Sequence, residues 1–210
     1  MNKNLTEFIG TFFLVLVAAL TGNAAAIGVT LMVMIFAGGH VSGAHYNPAV
    51  TLAVLIRGKV TSQDAIIYMV VQVIAAIIAA LIAKWYMGDM GAATMDLSGK
   101  VAKAFIGELI GTFALAYVVL NVATSKGTAG NSFYGLAIGL TVFAMASTFG
   151  SVSGGAFNPA VAVGATVVGA FALQNIWIYL VACFGGGFLA VLVFNFINED
   201  DKPVPPLSKG

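Results

Sequence analysis

Charge is what this chain has least of: Asp, Glu, Lys and Arg make up 8% of its 210 residues, against 60% hydrophobic residues. A water-soluble domain carries roughly 25% charge, so too few polar groups exist here to cover a surface facing water. Disorder is excluded by the same numbers, because it needs low hydrophobicity and high charge. A net charge of +1 gives no electrostatic footprint for nucleic acid. The single cysteine, Cys183, excludes an intramolecular disulfide framework and a cysteine metal cluster. The only histidines, His40 and His45, have no cysteine or carboxylate beside them in sequence; they suit helix packing or loop bracing better than a metal. No Ser/His/Asp set or phosphate loop is recognisable, so neither an enzyme nor a cofactor is expected. The run Gly185-Gly186-Gly187 lies inside an apolar segment, where close helix packing accounts for it. What remains is an integral membrane protein.

Long apolar runs are abundant. A spanning helix needs about 20 mostly apolar residues, and such stretches lie at 6–22, 27–46, 65–86, 102–122, 133–150 and 172–197. None alternates with period two, which excludes a β-barrel. Two further apolar pieces, 47–56 and 158–170, are too short to cross and are expected as re-entrant half-helices. The expected fold is an all-α membrane protein of six transmembrane helices plus two half-helices. The start of the chain, Lys3, then an apolar run from Phe8 to Leu20, then Asn23-Ala24-Ala25-Ala26, imitates a secretory signal with a small-residue site. Glu7 at its head and a twin of the segment later in the chain favour a retained first span. With the amino terminus inside, Lys3, Arg57, Lys59, Lys126, Lys202 and Lys209 fall on the cytoplasmic side and Lys84, Lys100 and Lys103 outside. That bias places both termini in the cytoplasm, with a disordered tail from Asn198.

The chain repeats itself. Glu-Phe-Ile-Gly-Thr at 7–11 returns as Glu-Leu-Ile-Gly-Thr at 108–112, and Ser42-Gly-Ala-His-Tyr-Asn-Pro-Ala-Val50 returns as Ser153-Gly-Gly-Ala-Phe-Asn-Pro-Ala-Val161. A longer loop near Thr124–Asn131 accounts for the larger offset of the second pair. One channel domain over 1–210 is expected, with repeats at about 5–97 and 98–197. Three spans per repeat force the second copy to enter from the opposite face, so the repeats are inverted. Their Asn-Pro-Ala ends then meet near the midplane, with two half-helix amino termini head to head. Proline suits the first helical position, so Pro48 and Pro159 start the half-helices, followed by Ala49 and Ala160. Asn47 and Asn158 fall at the N-caps, with amide donors free to face a lumen.

Glu7 and Glu108 are the only acidic residues inside apolar spans and occupy equivalent positions. One reading is proton transfer; the favoured one is structural, each accepting N–H donors from a re-entrant loop with help from Thr11 and Thr112. Gly10, Gly28, Gly39, Gly111 and Gly139 read as close helix crossings.

Paired Asn-Pro-Ala loops, six spans and repeat-equivalent glutamates resemble the aquaporin and aquaglyceroporin family, the major intrinsic proteins, over Glu7 to about Phe196. The resemblance implies a passive channel in the cell membrane for water or small neutral solutes, assembled as a homotetramer. It also implies a filter at Ile27, Ala146, Gly155 and Val161. The family's second motif usually continues into an arginine that lines the outer constriction; here the residue is Val161. A typical water-selective member also carries an aromatic at the Ile27 position and often a histidine at that of Ala146. A wider, uncharged filter is expected, passing polyols, urea-like molecules or neutral metalloid acids and water, although a dewetting barrier to water is open too. A secondary transporter coupled through Glu7 or Glu108, or a weakly ion-conducting channel, remain alternatives on the same architecture.

Overall fold

The computed structural model describes residues 2–88 and 93–201. Its helices are α1 (Asn2–Thr21), α2 (Ala24–Ser42), α3 (Pro48–Ile56), α4 (Ser62–Met87), α5 (Val101–Thr124), α6 (Tyr134–Ser153), α7 (Pro159–Val168) and α8 (Ile176–Ile197). Six are long and apolar enough to cross a membrane, as expected, and α3 and α7 are the two short pieces. Backbone groups in lipid must be satisfied within their own segment, which is why so apolar a chain is helical throughout its spans.

Helix ends follow local chemistry rather than the limits of the apolar runs. Asn23 caps α2 by accepting from Ala26 N–H at 3.0 Å, so the helix starts three residues before the predicted 27. It stops at Ser42, not 46, because Gly43 turns left-handed (φ +90°) and Ala44 and Tyr46 also hold positive φ. The second half-helix ends at Val168 on Gly169 (φ +91°). The last span begins at Ile176 after a single 3-10 turn, Leu173–Asn175.

Nine residues (125–133) join α5 to α6 where two (22–23) join α1 to α2, which locates the extra length of the second repeat. Lys3 Nζ pairs with Asp64 at 3.8 Å, and Ser125 Oγ donates to Asp201 at 2.6 Å. These contacts gather the start of α1, the start of α4 and the ends of α5 and α8 on one face, here the terminal face. Met95 N–H donates to Ala170 carbonyl at 2.8 Å and Thr94 Oγ1 to Gly169 carbonyl at 2.7 Å on the opposite face. The half-helix α3 runs out to the terminal face, where Arg57 caps it, and α7 runs out to the opposite face.

The two halves meet where α2 crosses α6. A Cβ added to Gly139 would lie 2.5 Å from Gly28 carbonyl oxygen, and one on Gly28 would lie 2.7 Å from Gly139 carbonyl oxygen. This is the close crossing expected of small residues. Gly186 and Gly187 serve similarly, facing Leu109 and Ala49 carbonyls at 2.6 and 2.7 Å. Gly10 and Gly111 correct the expectation. Each makes room for a loop aromatic rather than a helix backbone: a Cβ there would sit 2.2 Å from the ring of Tyr46 or Phe157. Gly39 faces the ring of Tyr134.

The expected tail is corrected in part. Residues 202–210 lie outside the described residues, but Asn198–Asp201 turns back onto the terminal face. There Asp201 accepts from Ser125 Oγ and Lys126 N–H, and its carboxylate lies 3.7 Å from the Arg57 guanidinium, both side chains being buried. Arg57 also lies over the Phe194 ring, 5.0 Å from its centroid. The Ser125 hydrogen bond foremost holds the Asp201 carboxyl below the usual carboxylate value, assisted by Lys126 N–H and the Arg57 charge.

Candidate functional site: a pore between two half-helices

Each re-entrant loop makes a strained turn at the middle of the fold. Tyr46 (φ +50°) and Phe157 (φ +47°) sit in the left-handed region at repeat-equivalent places, as does Ala44 (φ +51°). A side-chain-bearing residue pays roughly 1–2 kcal/mol for that conformation, so something must hold it. The glutamates do. Glu7 Oε1 accepts from Ser42 Oγ at 2.6 Å and His45 N–H at 2.9 Å; Oε2 accepts from Tyr46 N–H at 2.7 Å and Gln72 Nε2 at 2.9 Å. Glu108 repeats the arrangement, accepting from Ser153 Oγ at 2.7 Å, Ala156 N–H at 3.0 Å and Phe157 N–H at 2.7 Å. In the place of Gln72 the second repeat has Cys183, whose Sγ lies 3.8 Å from the carboxylate.

The serines fix the direction of these bonds. Ser42 Oγ accepts from Ala44 N–H and Ser153 Oγ from Gly155 N–H, so both hydroxyl protons are left to point at the glutamates. Each carboxylate is therefore surrounded by donors, and both are fully buried. Thr11 takes no part in this bracing, because its buried hydroxyl has no hydrogen-bond partner among the described residues; Thr112 stands against the Cys183 thiol rather than the carboxylate. Sequence inspection missed Tyr68 and Tyr179, whose hydroxyls donate to Ser42 and Ser153 carbonyls at 3.0 and 2.7 Å. It also missed Gln72, although a lone amide inside an apolar span was a visible signal.

A planar trans peptide sets its C=O opposite its N–H. With the His45 and Tyr46 N–H groups aimed at Glu7, the carbonyls of Ala44 and His45 face away from it. In the other loop the carbonyls of Gly155 and Ala156 do the same. These four residues line a narrow cavity of about 50 Å³ at the centre of the fold. It holds more than the space one water needs.

Asn47 and Asn158 line the cavity where the loops meet. Each Oδ1 caps its own half-helix, accepting from Ala49 N–H or Ala160 N–H at 2.9 Å. Each Nδ2 donates across the axis, Asn47 to Phe157 carbonyl and Asn158 to Tyr46 carbonyl, both at 2.9 Å. One of the two amide N–H donors on each is thus engaged in tying the loops together, which refines the expectation that both stay free. His45 behaves as a brace: Thr51 Oγ1 donates to Asn47 carbonyl and so accepts from His45 Nδ1 at 3.2 Å. His40 does not brace; it is exposed in the last turn of α2.

Ile27, Gly155 and Val161 line the same cavity towards the opposite face. Ala146 packs against the same cluster as Ile27 and Val161, beside Gly155. A Cβ added to Gly155 would lie 3.4 Å from Ala146 Cα, so the two residues are in direct contact there. Wider cavities flank the narrow one. One of about 450 Å³ on the opposite face shares Ala18 and Val161 with it. Another of about 520 Å³ on the terminal face shares Gly43, Ala123 and Tyr134. The shared residues put a wide, a narrow and a wide space in series between the two faces.

The sequence model of the major intrinsic protein family matches residues 1–194. A glycerol uptake facilitator protein-like 6 from Lactiplantibacillus plantarum is 35% identical over 217 residues, covering 96% of this chain and 100% of the relative. Aquaporin NIP1-1 of Arabidopsis thaliana is 34% identical over 234 residues, covering 100% of this chain and 78% of the relative. The fold superposes on the X-ray structure of an aquaglyceroporin from Plasmodium falciparum with a TM-score of 0.74 at 22% identity, covering 97% and 98% of the two chains.

Proposed function

The chain belongs to the major intrinsic protein family, a family of membrane channels rather than enzymes, and we propose that its solutes are small, uncharged and wider than water. They are polyols of glycerol size, urea-like molecules and neutral metalloid acids, with water among them. The observation that carries this reading is Val161. Where the family usually places an arginine, the wall made by Ile27, Gly155 and Val161 has no charge and no side-chain donor. The glycerol facilitator named among the relatives points the same way.

In this reading a solute exchanges its water shell for the carbonyls of Gly155 and Ala156, then for the remaining N–H of Asn158 and Asn47, then for the carbonyls of Ala44 and His45. The half-helix amino termini at Asn47 and Asn158 place about half a positive charge each at the crossing. They oppose cations there and substitute for the missing arginine. Coupled transport through Glu7 or Glu108 finds no support, since neither carboxylate lines the cavity and both are saturated with donors.

The terminal face is assigned to the cytoplasm, because Lys3, Arg57, Lys59 and Lys126 gather there while Lys84, Lys100 and Lys103 belong to the other side. The unit of function is one channel domain built of two inverted repeats, about 5–97 and 98–197; residues 89–92 of the first lie outside the described residues. A homotetramer is the assembly the family relationship suggests.

Stopped-flow light scattering on proteoliposomes tests the reading. Glycerol and urea are expected to enter at rates linear in concentration and indifferent to a proton gradient. Saturating or gradient-driven entry would establish a transporter instead, and current across a planar bilayer would establish an ion channel.

A further inference from the structure

Ile27, Gly155 and Val161 line the opposite-face end of the cavity, and the terminal-face end is a second place where solute size can be discriminated. Where the narrow cavity opens into the terminal-face vestibule, the residues lining both are Gly43, Ala123 and Tyr134. Two of these contribute at most a methyl group. We infer that Tyr134 is the solute-sizing element of this pore, forming a constriction at the cytoplasmic throat in place of the one expected on the other side. The inference rests on the passive-channel reading above.

Three observations support it. Tyr134 is the first residue of α6, delivered by the long 125–133 loop. That loop is fixed by Asn131, whose Nδ2 donates to Val122 and Thr128 carbonyls at 2.7 and 2.6 Å and whose Oδ1 accepts from Phe133 N–H at 3.2 Å. The ring is also fixed: it stands edge-on to Phe36, with centroids 5.4 Å apart and planes at 66°, and packs on the bare backbone of Gly39, where a Cβ would lie 3.3 Å from Tyr134 Cε2. An aromatic held on two sides sets a passage width that a swinging side chain would not. Finally, the phenol makes no hydrogen bond among the described residues. Apart from the loop residues His45, Asn47 and Asn158, Tyr134 is the lining residue with a polar side chain, and the wall between is apolar (Ile35, Val50, Val119, Ile138). Its hydroxyl offers both a donor and an acceptor to a solute leaving that stretch.

The test compares wild type, Tyr134→Ala, Tyr134→Phe and Tyr134→Trp in proteoliposomes, with water, glycerol and the four-carbon polyol erythritol as probes. Tyr134→Ala is expected to raise the erythritol-to-glycerol permeability ratio about tenfold, the change that a barrier difference of about 1.4 kcal/mol produces. Tyr134→Phe is expected to keep the wild-type ratio for size while slowing both polyols relative to water. Tyr134→Trp should lower glycerol flux relative to water, and it keeps the inference testable if the alanine variant does not fold. An unchanged ratio in Tyr134→Ala, or unchanged glycerol flux in Tyr134→Trp, overturns the inference. A wild type that passes only water, opened to glycerol by Tyr134→Ala, would uphold the throat while removing the solute reading of the native channel.

Discussion

Replacing Glu7 by alanine strips four donors of their acceptor at once. The N–H groups of His45 and Tyr46 are buried, and each orphaned donor costs about 1–3 kcal/mol. Gln72 loses its bond to the carboxylate but keeps Thr51 Oγ1 at 3.2 Å, and Ser42 can turn its hydroxyl elsewhere. The backbone groups therefore dominate, for a loss of about 2–6 kcal/mol. The positive φ of Ala44 and Tyr46 then loses the carboxylate that braces the turn. At about 2–4 °C per kcal/mol for a chain of this size, thermal unfolding in detergent should fall by roughly 10 °C, with a matching fall in purified yield. Glu108→Ala should cost somewhat less, because its fourth neighbour is the weakly donating thiol of Cys183 rather than an amide. Wild-type stability for Glu7→Ala, joined to an altered pH dependence of flux, would refute the bracing role and revive proton transfer.

Two further outcomes follow from the packing and the charge cluster. Gly28→Ala sets a methyl 2.7 Å from Gly139 carbonyl oxygen and should lower stability by about 1–3 kcal/mol, measurable as the same detergent melting shift. Asp201, whose carboxyl is held below its ordinary value, contributes stability above the unfolded-state value that is lost as pH falls through the folded one. Melting curves of wild type and Asp201→Ala should therefore differ at neutral pH and converge in acid.

What was legible in the sequence was whatever recurred in the two halves with conspicuous chemistry. Asn-Pro-Ala twice, with a glutamate twice, gave the half-helices and their braces, since few other arrangements let two odd-span copies meet. Less visible were contacts whose partners differ between the halves. Gln72 and Cys183 occupy matching places beside the carboxylates but share no chemistry, so neither attracts notice from the other. Gly10 and Gly111 were misassigned because a glycine records that something comes close without recording what; here it is a loop aromatic forced outward by a left-handed turn. The absent role of Thr11 shows the reverse error, a polar residue given a part because it stood beside an important one. Asp201 escaped notice because its partners Arg57 and Ser125 come from remote segments, and a short acidic run ordinarily reads as solvated tail.

A valine rather than a cation at position 161 is what opens the proposed filter to solutes wider than water. Val161→Arg restores that cation beside a cavity of about 450 Å³ that has room for it. Measured in matched proteoliposomes, the glycerol-to-water permeability ratio should fall about tenfold in this variant, glycerol being excluded while water still passes. A ratio equal to that of the wild type would contradict the proposal.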